Sequence, residues 1–381
     1  MKVIPRCMRL ELFDVGFEGT TIRDCLRLQK EDNSSKIVFD SNGTYGSTYK
    51  GYSKLKLSKY VKNCVLNKGN FESELQLEAF PALIRPTDDI IMHMHEAGMM
   101  AFVEFIKISN HFYIDESGKA YRIPYTKTEI ADSNILSLEE KHFVGKLFRG
   151  HMTFDEFSQS LSERSKAILM NGIAGDNNTA MRMNMYAKNI GMVPFLYPRH
   201  GHKEISEMFS RCNSMCGIGY VLDPLLSVTP IDNIGENNID KVHTDQDLIK
   251  ESGSNATYID KTLFEYSYKI HTSYGDVLTK KVVFSDSNMP GCYVRVINTK
   301  KHILEKTFFA FARRVHLMNI IALSSETECC SEETYLIYIT KNEESVSDDD
   351  LRFLGIQDED IIEDISYETI YSFKPDSFVI E

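Results

Sequence analysis

The chain has 381 residues, 42% of them hydrophobic, with 19 Tyr, 22 Phe and no Trp, enough to bury a core in two or three globular units. Fifty-five acidic against 43 basic residues leave a net charge of −12, with no basic patch to offset it, which argues against nucleic acid and anionic lipid surfaces as partners. Eight cysteines are too few for a disulfide scaffold, the opening Met1-Lys2-Val3-Ile4-Pro5-Arg6 lacks the apolar run of a signal peptide, and no apolar stretch reaches the roughly 18 residues of a spanning helix; a cytosolic protein with reduced thiols is expected.

Leu12 to Phe17 is a short apolar run, Ile22 to Gln29 sets Ile22, Cys25 and Leu26 at helical spacing, and Lys36 to Phe39 is strand-like again. Strand, helix, strand in this order opens a nucleotide-binding α/β sheet. Asp40 follows Gly19 by 21 residues, near the spacing at which a carboxylate meets a ribose. The glycines of a Gly-x-Gly-x-x-Gly turn are missing, however. Thr21 and Asp24 stand where backbone has to approach a pyrophosphate, and Asp24 would add negative charge there. The turn of Gly19, Thr21 and Asp24, with Asp40, is therefore degenerate, and no cofactor is expected.

Beyond Pro81, Ile90 to Met100 has the spacing of a helix. Ala101 to Ile108 and Phe112 to Ile123 alternate about the turn Asp115-Glu116-Ser117-Gly118, as in a β-hairpin. From Thr128 to Gly191 strand signals vanish. Ser137-Leu138-Glu139-Glu140 and Thr153-Phe154-Asp155-Glu156 read as capped helix starts, and Ser162 to Ala174 and Asn178 to Asn189 as helices. After Leu222 comes a polar stretch rich in Asn, Asp and Gly. Strand-like runs follow at Tyr266 to Ile270, Val282 to Phe284, Cys292 to Val296, Ile320 to Leu323 and Tyr335 to Ile339. The acidic tail from Asn342 to Asp364 reads as a solvated helix and loop face.

Three segments resemble one family in order and approximate spacing. The first is Phe13-Asp14-Val15 through Gly19-Thr20-Thr21, with Asp40-Ser41-Asn42-Gly43-Thr44-Tyr45-Gly46. The second is Phe102-Val103-Glu104-Phe105, then Tyr121-Arg122-Ile123-Pro124 and Leu136-Ser137-Leu138-Glu139-Glu140-Lys141. The third and most specific is Pro194-Phe195-Leu196-Tyr197-Pro198-Arg199-His200-Gly201-His202-Lys203-Glu204, continuing through Phe209-Ser210-Arg211 to Gly217-Ile218-Gly219-Tyr220-Val221-Leu222. They are similar to the signatures of the Rab escort protein and Rab GDP-dissociation inhibitor family, over residues 12 to about 340.

That resemblance implies an α/β, or multidomain α+β, chain with the architecture of flavin-dependent oxidoreductases but no flavin. A large discontinuous domain, residues 1–125 and 192–381, would bind GDP-bound Rab GTPases, and an inserted all-helical domain, residues 126–191, would hold their geranylgeranyl groups. The family's platform tyrosine, glutamate and arginine fall on Tyr45, Glu204 and Arg211, which keep their type. Its threonine and methionine fall on Gly219 and Val221, which are smaller. Tyr and Arg are residue types enriched at interface hot spots; spacing alone favours Glu204 and Arg211 merely lying on one face of a surface helix and pairing with neighbours, and it is the family-like block around them that turns the reading to a platform.

Prenyl-pocket candidates are Phe143, Leu147, Leu161, Ile168, Leu169 and Met170, which with Val144 and Phe157 would in any case line a helical core. Within the family, Ser133 to Lys141 and Cys330 to Thr340 look more like the escort branch, which presents Rabs to a geranylgeranyl transferase and delivers them to membranes. Length favours the inhibitor branch, which extracts and recycles prenylated Rabs, and the escort branch's transferase-docking aromatic falls near Met183. The escort reading stands slightly ahead. A flavin oxidoreductase, or an interaction protein with another partner, is the competing class.

His93 and His95, two apart on a helix, point about 200° apart and cannot share one metal ion. Cys212, Cys216, Cys329 and Cys330 form no Cys-x-x-Cys pair and read as buried free thiols. His200 and His202 lack a Ser or Cys nucleophile beside them. Neither a metal site nor a catalytic residue is expected.

Overall fold

The computed structural model describes residues 11–18, 35–39, 51–52, 57, 61–69, 75, 77–79, 81–175, 179–222, 225–230, 268–272, 275–283 and 292–369. Gly19, Thr21, Asp24, Asp40 and Tyr45 lie outside them. The chain divides into two compact units, Met1–Ser47 with Ser206–Asp286, and Thr48–Ile205 with Ser287–Glu381.

The first unit is built on a six-stranded sheet in the order Gly219–Val221, Lys36–Phe39, Glu11–Glu18, Gly275–Val283, Tyr268–Thr272, Leu225–Pro230. The first four strands run parallel to one another, and the last two are added antiparallel. Parallel strands Glu11–Glu18 and Lys36–Phe39 side by side are the pairing that a strand, helix, strand opening requires, because parallel neighbours need a crossover between them. Ile37, Phe39, Val221, Ile270 and Val277 form the apolar core, with Phe13 and Val282 packed on it.

The second unit is organised by an eight-stranded sheet in the order Val61–Lys68, Ile361–Thr369, Tyr293–Thr299, Tyr335–Lys341, Leu317–Leu323, Phe308–Arg313, His111–Ile114, Ala120–Arg122. All neighbours are antiparallel except Phe308–Arg313 beside His111–Ile114. Its central strands are buried on both faces, so successive side chains enter different cores. Phe309 and Phe311 face the helices, in a cluster with Ile168, Leu169, Leu161 and Phe157. Phe308, Ala310 and Ala312 face the opposite cluster, with Leu351, Leu354 and Ile356.

Five helices occupy the segment expected to be helical: Lys127–Asp132, Leu138–Phe148, Phe154–Ser160, Glu163–Ala174 and Thr179–Asn189. Capping boxes start three of them, Thr126 with Glu129, Ser137 with Glu140 and Thr153 with Glu156, each cap contributing about 1 kcal/mol. Glu140 does more, its Oε1 accepting the Ser162 N–H at 2.7 Å at the cap of the helix Glu163–Ala174. Gly172 lets that helix approach the sheet, since a Cβ there would lie 2.6 Å from Ile123 Cδ1 and 3.1 Å from Tyr113 Cβ.

The tail departs from its expected solvated course. Asp348–Phe353 is a helix capped by Ser347, but Ile361–Thr369 is a strand between Val61–Lys68 and Tyr293–Thr299. Asp364 is 3% exposed there, and its charge is met by Arg295, distant in sequence. Phe308–Arg313 and Val61–Lys68 are further strands that the sequence reading passed over. The cysteines also differ in part: Cys329 and Cys330 are buried free thiols, but Cys212 is half-buried and Cys216 exposed, because Cys216 follows the end of the helix Lys203–Met215.

Candidate functional site: the turn into the helix Lys203–Met215

The second and third family-like segments, almost a hundred residues apart in sequence, meet as a pair of strands in the second unit. Phe105–Ile108 lies antiparallel to Phe195–Pro198, with Phe105 opposite Pro198 and Ile108 opposite Phe195. Just beyond the pair, the Arg199 N–H donates to Glu104 O at 2.9 Å. The turn Arg199-His200-Gly201-His202 then leads into the helix Lys203–Met215.

A partly exposed ionic cluster covers this turn. Arg199 Nη2 lies 2.9 Å from Glu104 Oε1 and its Nη1 3.4 Å from Glu328 Oε1. His200 sits between two carboxylates, Nδ1 3.2 Å from Glu328 Oε2 and Nε2 3.7 Å from Glu204 Oε1. Three carboxylates thus surround one arginine and one imidazole, giving a surface with acceptors to spare.

Beneath the turn, Glu78 is buried. Its Oε1 accepts the His202 backbone N–H at 2.6 Å, and the His202 Nδ1–H reaches both carboxylate oxygens, at 3.0 and 3.1 Å. A carboxylate only accepts, so Nδ1 carries the proton. The backbone of Glu78 is held as well: its N–H donates to Tyr338 Oη at 3.0 Å, and its carbonyl accepts from Tyr367 Oη at 2.7 Å. Burial, reinforced by the negative field of Glu78, holds the phenols of Tyr197, Tyr338 and Tyr367 well above their ordinary value and the Cys329 thiol at about 12. Gly201, at φ +84°, cannot be replaced cheaply, because a Cβ there would meet Glu78 Oε1 at 2.6 Å.

Glu204 belongs to this second unit and is half-buried. Arg211, Gly219 and Val221 belong to the first. Arg211 is exposed on the same helix as Glu204 and has no ion-pair partner among the described residues. Gly219 is half-buried, with room for a side chain, since its nearest neighbours to a Cβ are Ile37 Cγ1 at 3.7 Å and Lys36 O at 3.8 Å. Val221 is buried in the core of that unit.

Leu147, Leu161, Ile168 and Leu169 are buried in the core shared by helices and sheet, with Phe143 and Met170 half-buried against it. Met183 is buried in the same core. Sequence reasoning missed Glu78, Glu328 and the pairing role of Glu104. Glu78 had a faint signal as the one charge inside the run Leu77-Glu78-Ala79-Phe80-Pro81; Glu328 had none. His93 and His95 lie on the helix Asp89–Glu96, and no group of three metal-ligating side chains occurs among the described residues.

This architecture is shared with oxidoreductases. An oxidoreductase from Methanosarcina mazei superposes over 94% of this chain and 88% of its own, at a TM-score of 0.56 and 12% identity. A putrescine oxidase variant does so over 96% and 88%, at 0.51 and 10% identity. These likenesses are of fold.

Among proteins of this fold, the chain resembles the Rab GDP-dissociation inhibitor and escort protein family. Rab GDI from Plasmodium falciparum superposes over 94% of this chain and 90% of its own, at a TM-score of 0.66 and 16% identity. The Rab GDP-dissociation inhibitor of Saccharomyces cerevisiae is 20% identical over 263 residues, 58% of this chain and 57% of that protein. Guanosine nucleotide diphosphate dissociation inhibitor 2 of Arabidopsis thaliana is 20% identical over 251 residues, 56% of each. The sequence similarity therefore spans little more than half the length of these relatives. No protein-family profile matches the chain.

Proposed function

We propose that the chain is a non-catalytic carrier of Rab GTPases, binding their GDP-bound form and shielding their geranylgeranyl groups. The observation that carries this reading is the meeting of the two family-like segments at the turn into the helix Lys203–Met215, the helix bearing Glu204 and Arg211. The residues proposed to contact Rab are Tyr45, Arg211, Gly219 and Val221 in the first unit and Glu204 in the second. The helical domain of residues 126–191 is the proposed lipid holder, with Phe143, Leu147, Leu161, Ile168, Leu169 and Met170 as lining. Each lipid methylene shielded is worth roughly 0.8 kcal/mol before ordering costs. The protein would act in the cytosol and transiently at membranes; no helix among the described residues is long and apolar enough to cross one.

A flavin has no part in this reading. The family fold could hold one, but Thr21 and Asp24 stand where its pyrophosphate needs glycine.

Inhibitor-type extraction of prenylated Rabs is the form of the activity we put first, in line with the names of the relatives. The escort form rests on Ser133 to Lys141 and Cys330 to Thr340. Both segments also have structural duties, Ser137 and Glu140 as a capping box and Tyr335–Lys341 as a central strand. One experiment separates the forms. The chain is mixed with membranes carrying prenylated GDP-Rab and, separately, with unprenylated Rab, the geranylgeranyl transferase and lipid donor. Extraction without support of prenylation is the inhibitor result; prenylated product that depends on the chain is the escort result. Neither activity would end the proposal.

A further inference from the structure

We propose that Glu78 is a positioning residue for the partner-binding surface, a buried carboxylate that fixes where Glu204 and His200 stand; this rests on the function proposed above. The carboxylate is 1% exposed and His202 fully buried. Together they lie directly beneath the turn that presents the exposed cluster. Glu78 Oε1 takes the His202 N–H at 2.6 Å, one of the backbone donors that a helix start leaves unsatisfied. Negative charge at that end also favours the helix dipole. Glu204 is two residues further on, its own N–H bonded to Gly201 O at 3.3 Å, which ties the turn to the first residues of the helix.

Glu78 is itself held in place at both ends: its carboxylate by the His202 ring, and its backbone N–H and carbonyl by the Tyr338 and Tyr367 hydroxyls on two strands of the eight-stranded sheet. The effect of these bonds is to reference Glu204 and His200 to the sheet rather than to the loop alone. Preorganised surfaces bind more tightly because less ordering is left for the encounter.

The test is a double-mutant cycle on the full chain, titrated with prenylated GDP-bound Rab. Glu78→Gln keeps the shape and removes the charge, and thermal unfolding shows whether the variant is folded. If Glu78 acts through Glu204, Glu78→Gln weakens binding roughly tenfold in the wild-type background and has little further effect beside Glu204→Ala. Equal loss in both backgrounds, or none in either, overturns the positioning role while leaving the platform standing. Full affinity in Glu204→Ala overturns the platform and this role together. Should Glu78→Gln fail to fold, Tyr367→Phe, which removes only the hydroxyl bonded to the Glu78 carbonyl, is put through the same cycle with the same outcomes.

Discussion

Arg295 grips Asp364 across two neighbouring strands of the eight-stranded sheet, Nε to Oδ1 at 3.0 Å and Nη2 to Oδ2 at 2.6 Å, with both residues buried. The guanidinium also reaches Asp348 Oδ1 at 2.8 Å and Val346 O at 3.2 Å, so its donors are largely satisfied. Removing one partner leaves a buried charge uncompensated. Arg295→Met should therefore cost about 3 kcal/mol or more in urea unfolding, and Arg295→Met with Asp364→Leu should recover much of it. A single variant as stable as the wild type would show that the pair holds nothing.

Glu140 ties two helix starts together and should give the helical segment a pH signature. Burial alone would raise its carboxyl, but hydrogen bonds from Ser137 and Ser162 outweigh this and hold it at about 2 against an ordinary 4.5. A depressed carboxyl contributes stability above the ordinary value and loses it as pH falls through the folded one. The stability gap between wild type and Glu140→Gln, on the order of 2 kcal/mol at pH 7, should thus shrink between about pH 4.5 and pH 2. A gap constant across that window would mean the hydrogen bonds do not favour the ionised form.

How far these features were legible in the sequence depended on whether their causes were local. The caps at Ser137 and Thr153 and the turn at Asp115 to Gly118, which joins His111–Ile114 to Ala120–Arg122, are written in adjacent residues and placed as read; Ala101 to Ile108, expected in the same hairpin, instead sends Phe105–Ile108 to pair with the distant Phe195–Pro198. The strand Ile361–Thr369 was hidden, because its charged residues look solvated unless Arg295, 69 positions away, is known to face Asp364. The candidate site divides in the same way. Glu204 and Arg211 stood in a recognisable block, whereas Glu78 acts on His202 from 124 positions away, a relation that neither spacing nor composition encodes.

The lipid-holding role proposed for the helical segment is best tested where side chains meet solvent. Ile168 and Leu169 are buried, so a charge there would unfold the core before it reported on lipid. Phe143 and Met170 are half-buried against that core. Phe143→Ser and Met170→Gln should weaken binding of prenylated GDP-Rab several-fold more than of the unprenylated form, each lost apolar contact being worth roughly 1 kcal/mol. Equal losses for both forms would move the lipid site elsewhere.

The central claim is that this chain engages GDP-bound Rab through a platform containing Arg211. Titration of prenylated GDP-bound Rab into wild type and Arg211→Ala tests it in one measurement, since Arg211 is exposed and its loss should leave the fold intact. The account predicts saturable binding by the wild type, weakened by about 2 kcal/mol, roughly thirtyfold, in the variant. No saturable binding by the wild type, or the same affinity for both proteins, would contradict it.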